Sequence, residues 1–284
     1  MENIAPALLE WFYKNQRILP FRTDPSPYHV WLSEIMLQQT RVSAALPYYE
    51  RFLAALPDIP ALAACEEEKL HKLWEGLGYY SRVRNLQKAA RIVCEQYGGQ
   101  LPADYDALRA LPGIGDYTAG AIASISFGLA VPAVDGNVLR VFSRLYNDPG
   151  VITELAVKRA FTARVMEHQP PEKAGDYNQA LMELGALVCV PNGAPLCERC
   201  PLASLCEARR AGTALELPHK AAPKARRDRA GDGSAGRRRR RTLPAAAAAP
   251  KRSAGRSVAA ASVGGRSPQR RRSLRPAGSA GPCL

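Results

Sequence analysis

From Ala221 to Leu284 the chain contains no Phe, Trp, Tyr, Ile or Met, and Arg, Ala, Gly, Pro and Ser dominate. Such a segment cannot bury enough apolar surface to offset the conformational entropy of ordering it, so it reads as a disordered tail. Whatever packed core this 284-residue chain forms must come from the residues before it. The same boundary divides the charge. The net +13 resolves into +15 for residues 221–284 and −2 for residues 1–220. Basicity is therefore a property of the tail and is silent on what the folded part binds. The Arg237–Arg241 run reads either as solvated chain or as a nucleic-acid or localisation patch.

Residues 1–210 read as helix after helix, without the alternating apolar and polar residues of a half-buried strand. Leu8, Leu9, Trp11 and Phe12 share one face, as do Trp31, Leu32, Ile35 and Met36. A longer helix through Leu86, Ala90, Val93 and Tyr97 should stop at Gly98-Gly99. Further helices are expected over 104–110, 118–127, 138–146, 153–168 and 177–188. The N-terminus is acidic and amphipathic and has no basic region leading into an apolar run, so no secretory signal is expected. The most apolar stretch, Ala119–Val134, is interrupted by Gly128 and Pro132 and is not expected to cross a membrane. Four of the seven cysteines, Cys189, Cys197, Cys200 and Cys206, are crowded together, which points to a metal centre in a reducing, intracellular setting.

The segment Leu111-Pro-Gly-Ile-Gly-Asp-Tyr-Thr-Ala-Gly120 places Gly113 and Gly115 in a tight turn between two helices. Glycines can take backbone angles that other residues avoid, and a helix start exposes amide donors that suit a phosphate. On the two glycines alone, an ordinary helix–helix corner is the better reading. Larger motifs change that balance. The segment LPGIGDYTAGAI resembles the hairpin of helix-hairpin-helix DNA glycosylases, and Val134-Asp135-Gly136-Asn137-Val138 resembles their catalytic-aspartate segment. Residues Pro27–Thr40 and Gly76-Leu77-Gly78-Tyr79-Tyr80-Ser81-Arg82 are close to motifs of the MutY-type adenine DNA glycosylases, and the likeness runs over residues 5–218.

That resemblance implies an all-α fold of two lobes. Residues 23–132 would form a helical barrel with the hairpin, residues 1–22 with 133–210 an iron–sulfur domain, and residues 211–284 a linker and tail. It also implies hydrolysis of the bond between adenine and its sugar, with adenine mispaired with 8-oxoguanine or guanine in duplex DNA. Two carboxylates in different environments can divide such work. Glu34 lies among Trp31, Ile35, Met36 and Leu37, where burial should keep it protonated as the acid at adenine N7. By the resemblance it also activates water. Asp135 sits at a helix start whose dipole should favour its ionised form, as cation stabiliser or transient nucleophile. A lone aspartate there would more often be a cap; the neighbouring motifs select catalysis, and Asn137 is grouped with it. In the endonuclease III branch a lysine forms a Schiff base where this chain has Tyr117, so a monofunctional enzyme that leaves an abasic site is expected. Tyr117 could instead pack on the extruded base.

The base must leave the helix before it can be cut. By resemblance Gln39 and Tyr79 wedge the stack, Arg22 and Glu183 contact the flipped adenine, and Arg17 and Leu19 lie near the opposing base. Arg41, Arg82, Arg84 and Lys88 are candidates for phosphate contact or plain solvated side chains. The cysteine spacing, C-x7-C-x2-C-x5-C, suits a 4Fe–4S cluster better than a zinc ribbon, although the family's usual first gap is six residues. That loop also has no Lys or Arg between Val190 and Leu196. Relatives of this type continue, after a linker near Leu217-Pro218, into a nudix-like domain that reads 8-oxoguanine. The tail's composition does not fit such a domain, and a truncated variant or a shifted reading frame would account for it; weakened preference for 8-oxoguanine over guanine is then expected. The expected partner is mispaired double-stranded DNA, bound by a monomer in the cytoplasm at the nucleoid. The rival readings are a thymine or uracil mismatch glycosylase and a non-catalytic iron–sulfur DNA-binding protein.

Overall fold

The computed structural model describes residues 2–221. The expected disordered tail, with its Arg237–Arg241 run, lies outside the described residues from position 222 onward. Among the described residues every regular element is helical, and one isolated bridge pairs Val151 with His219. The order is α1 Ala5–Asn15, α2 Pro20–Thr23, α3 Pro27–Leu37, α4 Val42–Ala55, α5 Ile59–Ala64, α6 Glu67–Trp74 and α7 Ser81–Tyr97. Then follow α8 Tyr105–Ala110, α9 Asp116–Phe127, α10 Gly136–Leu145, α11 Leu155–His168, α12 Ala174–Leu187 and α13 Glu207–Ala211.

Local chemistry sets these boundaries. Ser26, Asp58, Asp104 and Asp135 each accept a backbone N–H at the start of α3, α5, α8 and α10, satisfying donors that a helix start leaves free. Proline stands in the first turn of α1, α2, α3 and α5, where no N–H is missed. Helix α7 stops at Gly98 as expected.

Two hydrophobic cores result. One gathers residues between Tyr28 and Ala123 around Trp31, Phe52 and Trp74, with the Phe52 and Trp74 rings edge to face at 6.0 Å. The other joins Ile4 and the Ala5–Phe12 part of α1 to residues from Val138 to Leu202, around Phe142, Phe161 and Tyr177. Each such side chain contributes about 1.5–3 kcal/mol by leaving water. Helix α3 runs through the first core with Val30 to Met36 all buried, which carries Glu34 inside with its apolar neighbours. Residues past α13, read from sequence as linker, are held against the second core: Leu217 is buried and its carbonyl accepts from Arg144 Nε at 3.0 Å.

Candidate active site

A cavity of about 430 Å³ takes wall residues from both cores, with Glu34, Tyr117, Asp135, Asn137 and Glu183 all facing it. Its volume is in the range of small-molecule sites. Glu34, 9 % exposed, comes from the middle of α3. Burial pushes its pKa up to about 7; the neighbouring Tyr117 phenol opposes the rise, the Asp135 carboxylate adds to it, and Arg22 opposes it. Tyr117, from the first turn of α9, has its own pKa raised well above the phenol value, by burial and then by the charge of Glu34. Its hydroxyl points at Met182 Sδ, 3.5 Å away.

Asp135 is both a helix cap and a member of the cavity wall. Its Oδ1 accepts from the Val138 N–H at 2.8 Å and its Oδ2 from Asn137 Nδ2 at 2.7 Å. The dipole of α10, at whose start Asp135 sits, favours the ionised form. Loss of solvent at the wall outweighs it, and the pKa is raised, with the Val138 and Asn137 donors and Arg140 pulling the other way. The two carboxyls are thus unlike: Asp135 accepts several hydrogen bonds that favour its charge, and Glu34 has little more than Tyr117.

Glu183 of α12 is fully buried and clamped by two arginines. Arg17 donates from Nε and Nη2 at 2.8 and 2.7 Å and from its backbone N–H at 3.0 Å, and Arg22 Nη2 donates at 2.8 Å. Burial alone would push Glu183 up; the two guanidinium groups overrule it and hold its pKa at about 2. Arg22 and Glu183, expected to meet a base, therefore meet each other in the free protein. Arg17 and Leu19, expected beside an opposing base, line this same cavity, Leu19 as a buried side chain.

Arg41 lines the cavity and is exposed; Gln39, Tyr79, Arg84 and Lys88 are exposed and are not among its wall residues. Arg82 differs from the expectation of a phosphate contact: both Nη atoms donate to backbone carbonyls, five in all. In the turn between α8 and α9 only Gly113 needs to be glycine for conformation, with φ +81° and a Cβ position 2.9 Å from Asn85 Cβ. Gly115 has ordinary extended angles, and it leaves open space at the uncapped start of α9.

Cys189, Cys197, Cys200 and Cys206 line one small cavity of about 30 Å³. Among the described residues no group of three His, Cys, Asp or Glu side chains is gathered as a single metal ion would require. Two arginines that the motif reading did not single out tie this loop to α10. Arg140 Nε donates to the Cys189 carbonyl at 2.8 Å, while its Nη2 donates to Asn137 Oδ1 and to the Gly185 carbonyl, also at 2.8 Å. Arg144 Nη1 donates to the Val190 carbonyl at 3.0 Å and lies 3.3 Å from Cys189 Sγ. An unbroken hydrogen-bonded path thus runs from Asp135 through Asn137 and Arg140 to Cys189. The signal in the sequence was a pair of arginines four apart on α10 between Leu139, Val141 and Leu145, where charge is costly unless paired.

Among the described residues, a wholly helical body with a hairpin beside a cavity that buries two unlike carboxyls is the arrangement of the helix-hairpin-helix class. Residues 32–167 match the HhH-GPD superfamily base excision DNA repair protein. It is 44 % identical over 212 residues to the adenine DNA glycosylase of Homo sapiens, covering 72 % of this chain and 39 % of that protein. It is 38 % identical over 214 residues to the adenine DNA glycosylase of Buchnera aphidicola subsp. Schizaphis graminum, covering 75 % of this chain and 61 % of that one. The matched region thus spans less than two thirds of either relative. Among solved structures, a thermostable thymine-DNA glycosylase superposes with TM-score 0.67 at 27 % identity, covering 73 % of this chain and 95 % of that chain. A non-covalent endonuclease III–DNA complex superposes with TM-score 0.61 at 24 % identity over 74 % and 96 % of the two chains, a likeness of fold. No described helix is long and apolar enough to cross a membrane.

Proposed function

We propose that this protein is a monofunctional DNA glycosylase that hydrolyses the N-glycosidic bond of adenine mispaired with 8-oxoguanine or guanine in double-stranded DNA. The observation that carries the reading is the meeting of Glu34 and Asp135 on one cavity, with burial raising both carboxyls, Glu34 to about 7, and with hydrogen-bond donors that favour the charged form gathered at Asp135. With a pKa of about 7, Glu34 holds a proton near neutrality and can pass it to N7 of the departing adenine. As the bond to C1′ breaks, positive charge develops on the sugar, and the hydrogen-bonded Asp135 carboxylate is its counter-charge. Glu34, now deprotonated, takes a proton from the water that adds to C1′. The products are adenine and an abasic site. Tyr117 steadies Glu34 and has no amine to form an imine with the sugar.

Arg22 and Glu183 are assigned to hold the flipped base, exchanging part of their present pairing for it, with Arg17 and Leu19 toward the opposing base. Gln39 and Tyr79 fill the gap in the stack, and the amides at Gly113 and Gly115 receive a backbone phosphate. Asn137 orients Asp135. The enzyme is assigned as a monomer, and a DNA substrate implies an intracellular site of action, at the nucleoid.

The four cysteines are assigned to a 4Fe–4S cluster. A cluster ligates each thiolate at a different iron, so its four ligands stand further apart than those of a single ion, which fits four thiols on one cavity without a tight trio. When bound, the group cross-links the loop between Cys189 and Cys206. Iron and acid-labile sulfide analysis should find about four of each per chain, whereas stoichiometric zinc would overturn the assignment.

A single-turnover panel of duplexes carrying A:8-oxoguanine, A:G, T:G and U:G tests the function. Adenine should be released from the first two, leaving an uncleaved abasic strand and no adduct trapped by borohydride. Release of thymine or uracil instead would replace the reading with mismatch-pyrimidine repair, and binding without any release would make the protein a non-catalytic DNA binder.

A further inference from the structure

Two residues stand out in the backbone at the edge of this site. Neither Gln39 nor Tyr79 is glycine, yet φ is +57° at one and +48° at the other, a left-handed conformation that side chains rarely adopt. Both side chains are exposed, Tyr79 to 64 %. Such a conformation costs free energy and persists only where the surroundings over-determine it. Here those surroundings converge on one guanidinium. Arg82 Nη1 donates to the carbonyls of Ile35, Met36 and Gln38 at 2.9, 3.1 and 2.8 Å, closing the end of α3 and the turn that leads into Gln39. Its Nη2 donates to the carbonyls of Leu77 and Gly78 at 2.9 and 3.3 Å, in the loop that leads into Tyr79. The guanidinium carbon also lies 5.6 Å from the Tyr79 ring centre and 5.4 Å from that of Trp74, whose Nε1 donates to the Gly78 carbonyl at 3.1 Å.

We propose that Arg82 is a positioning residue for base extrusion: its guanidinium locks the backbones of Gln39 and Tyr79 so that both exposed side chains enter the duplex as one preformed wedge. This rests on the glycosylase reading above. Five carbonyls from two turns are held by one rigid, planar fork, so the relative placement of the two turns is fixed before DNA arrives. A lysine keeps the charge, but a point ammonium cannot span both turns in a fixed plane. Because the carbonyls of Ile35 and Met36 end the helix that carries Glu34, the wedge and the acid also share one frame.

The test compares wild type with Arg82→Lys and Arg82→Gln, each checked for folding by thermal unfolding. Single-turnover adenine release is measured on an A:8-oxoguanine duplex and on the same strand with the adenine unpaired in a bulge, where extrusion is already cheap. A 2-aminopurine beside the target reports unstacking directly. The expected result is a loss of about tenfold or more on the paired target, with the unpaired target nearly unaffected and the unstacking signal reduced. Equal losses on both targets, or no loss on either, overturn the proposal. Should neither variant fold, Trp74→Phe reads the same requirement, because it removes the N–H donor to the Gly78 carbonyl held by Arg82 and leaves both wedge side chains in place. It must then impair the paired target selectively, and an unselective effect overturns the proposal. If wild type releases adenine from neither duplex, the glycosylase reading itself falls, and this inference with it.

Discussion

Glu34 is held inside the protein against its own ionisation, and the consequence is measurable without any substrate. A carboxyl with an ordinary pKa of 4.5 when solvated and about 7 when folded binds its proton more tightly in the folded state. Stability from this group is therefore fully present below about pH 4.5 and is lost as pH rises toward 7, where the charge must be accommodated. The loss amounts to as much as about 3 kcal/mol. Glu34→Gln should accordingly abolish adenine release while raising stability at pH 8, with much less gain at pH 5, in urea unfolding followed at both pH values. A gain of equal size at both would mean that shape, and not charge, is the cost. In the native enzyme, release should decline as pH rises through about 7, because the proton donor is lost. A single-turnover rate flat from pH 6 to 9 would remove Glu34 from the role of acid. The burial of Glu34 was legible because its neighbours on the helix are Trp31, Ile35 and Met36. The direction at Asp135 was not, because a sequence displays the helix start and its dipole but not the solvent excluded from the wall beside it.

Helices α9, α10 and α12 meet at spacings that single side chains would prevent. A Cβ on Gly185 would stand 2.6 Å from Asn137 Cβ and 3.3 Å from Asn137 Cα, so α12 approaches the first turn of α10 only because this position lacks a side chain. That turn carries Asp135 and its donor Asn137. Gly185→Ala should therefore displace Asn137, lowering stability by about 1–3 kcal/mol as an overpacked contact does. It should slow adenine release well beyond tenfold, because a misplacement of about 1 Å at the reacting groups is that costly. An Asn137→Ala variant in the same background should add little further loss, and additive effects would show that Gly185 acts elsewhere. The helices themselves were largely readable from apolar periodicity, caps and glycine stops. Helix α4, with Pro47 in its interior, gave a weaker signal, because proline is ordinarily read as a helix end. The close approaches were not readable, since a helical glycine looks the same in sequence whether it faces solvent or another backbone.

For the chain as a whole, the question is how far along the sequence the folded unit extends. The family resemblance put its edge at residue 210 and composition put it at residue 221, and the hydrogen bonds run to residue 221. Beyond α13, Thr213 Oγ1 donates to Asn147 Oδ1 at 2.6 Å, and the Leu217 carbonyl accepts from buried Arg144 at 3.0 Å. The His219 carbonyl accepts from the Ile152 N–H at 3.0 Å, and the Ala221 N–H donates to Thr153 Oγ1 at 3.3 Å. Three of these four bonds use a backbone group of Leu217, His219 or Ala221, and backbone hydrogen bonding leaves no mark in residue type. Only the isolated apolar Leu217 hinted at an anchor. Two truncations separate the alternatives. Residues 1–221 retain every wall residue of both cavities, from Arg17 to Ala214, so they should release adenine at the full-length rate with unchanged denaturant midpoint. Residues 1–212 strip the Leu217 acceptor from Arg144, whose other donors hold the Cys189–Val190 turn. Leaving a buried guanidinium short of a partner costs about 1–3 kcal/mol. The shorter fragment should therefore unfold at lower urea and lose iron more readily than the longer one. Equal stability of the two fragments would mean that residues 213–221 rest on the core without holding it, and that the boundary at residue 210 implied by the family resemblance was the physical one.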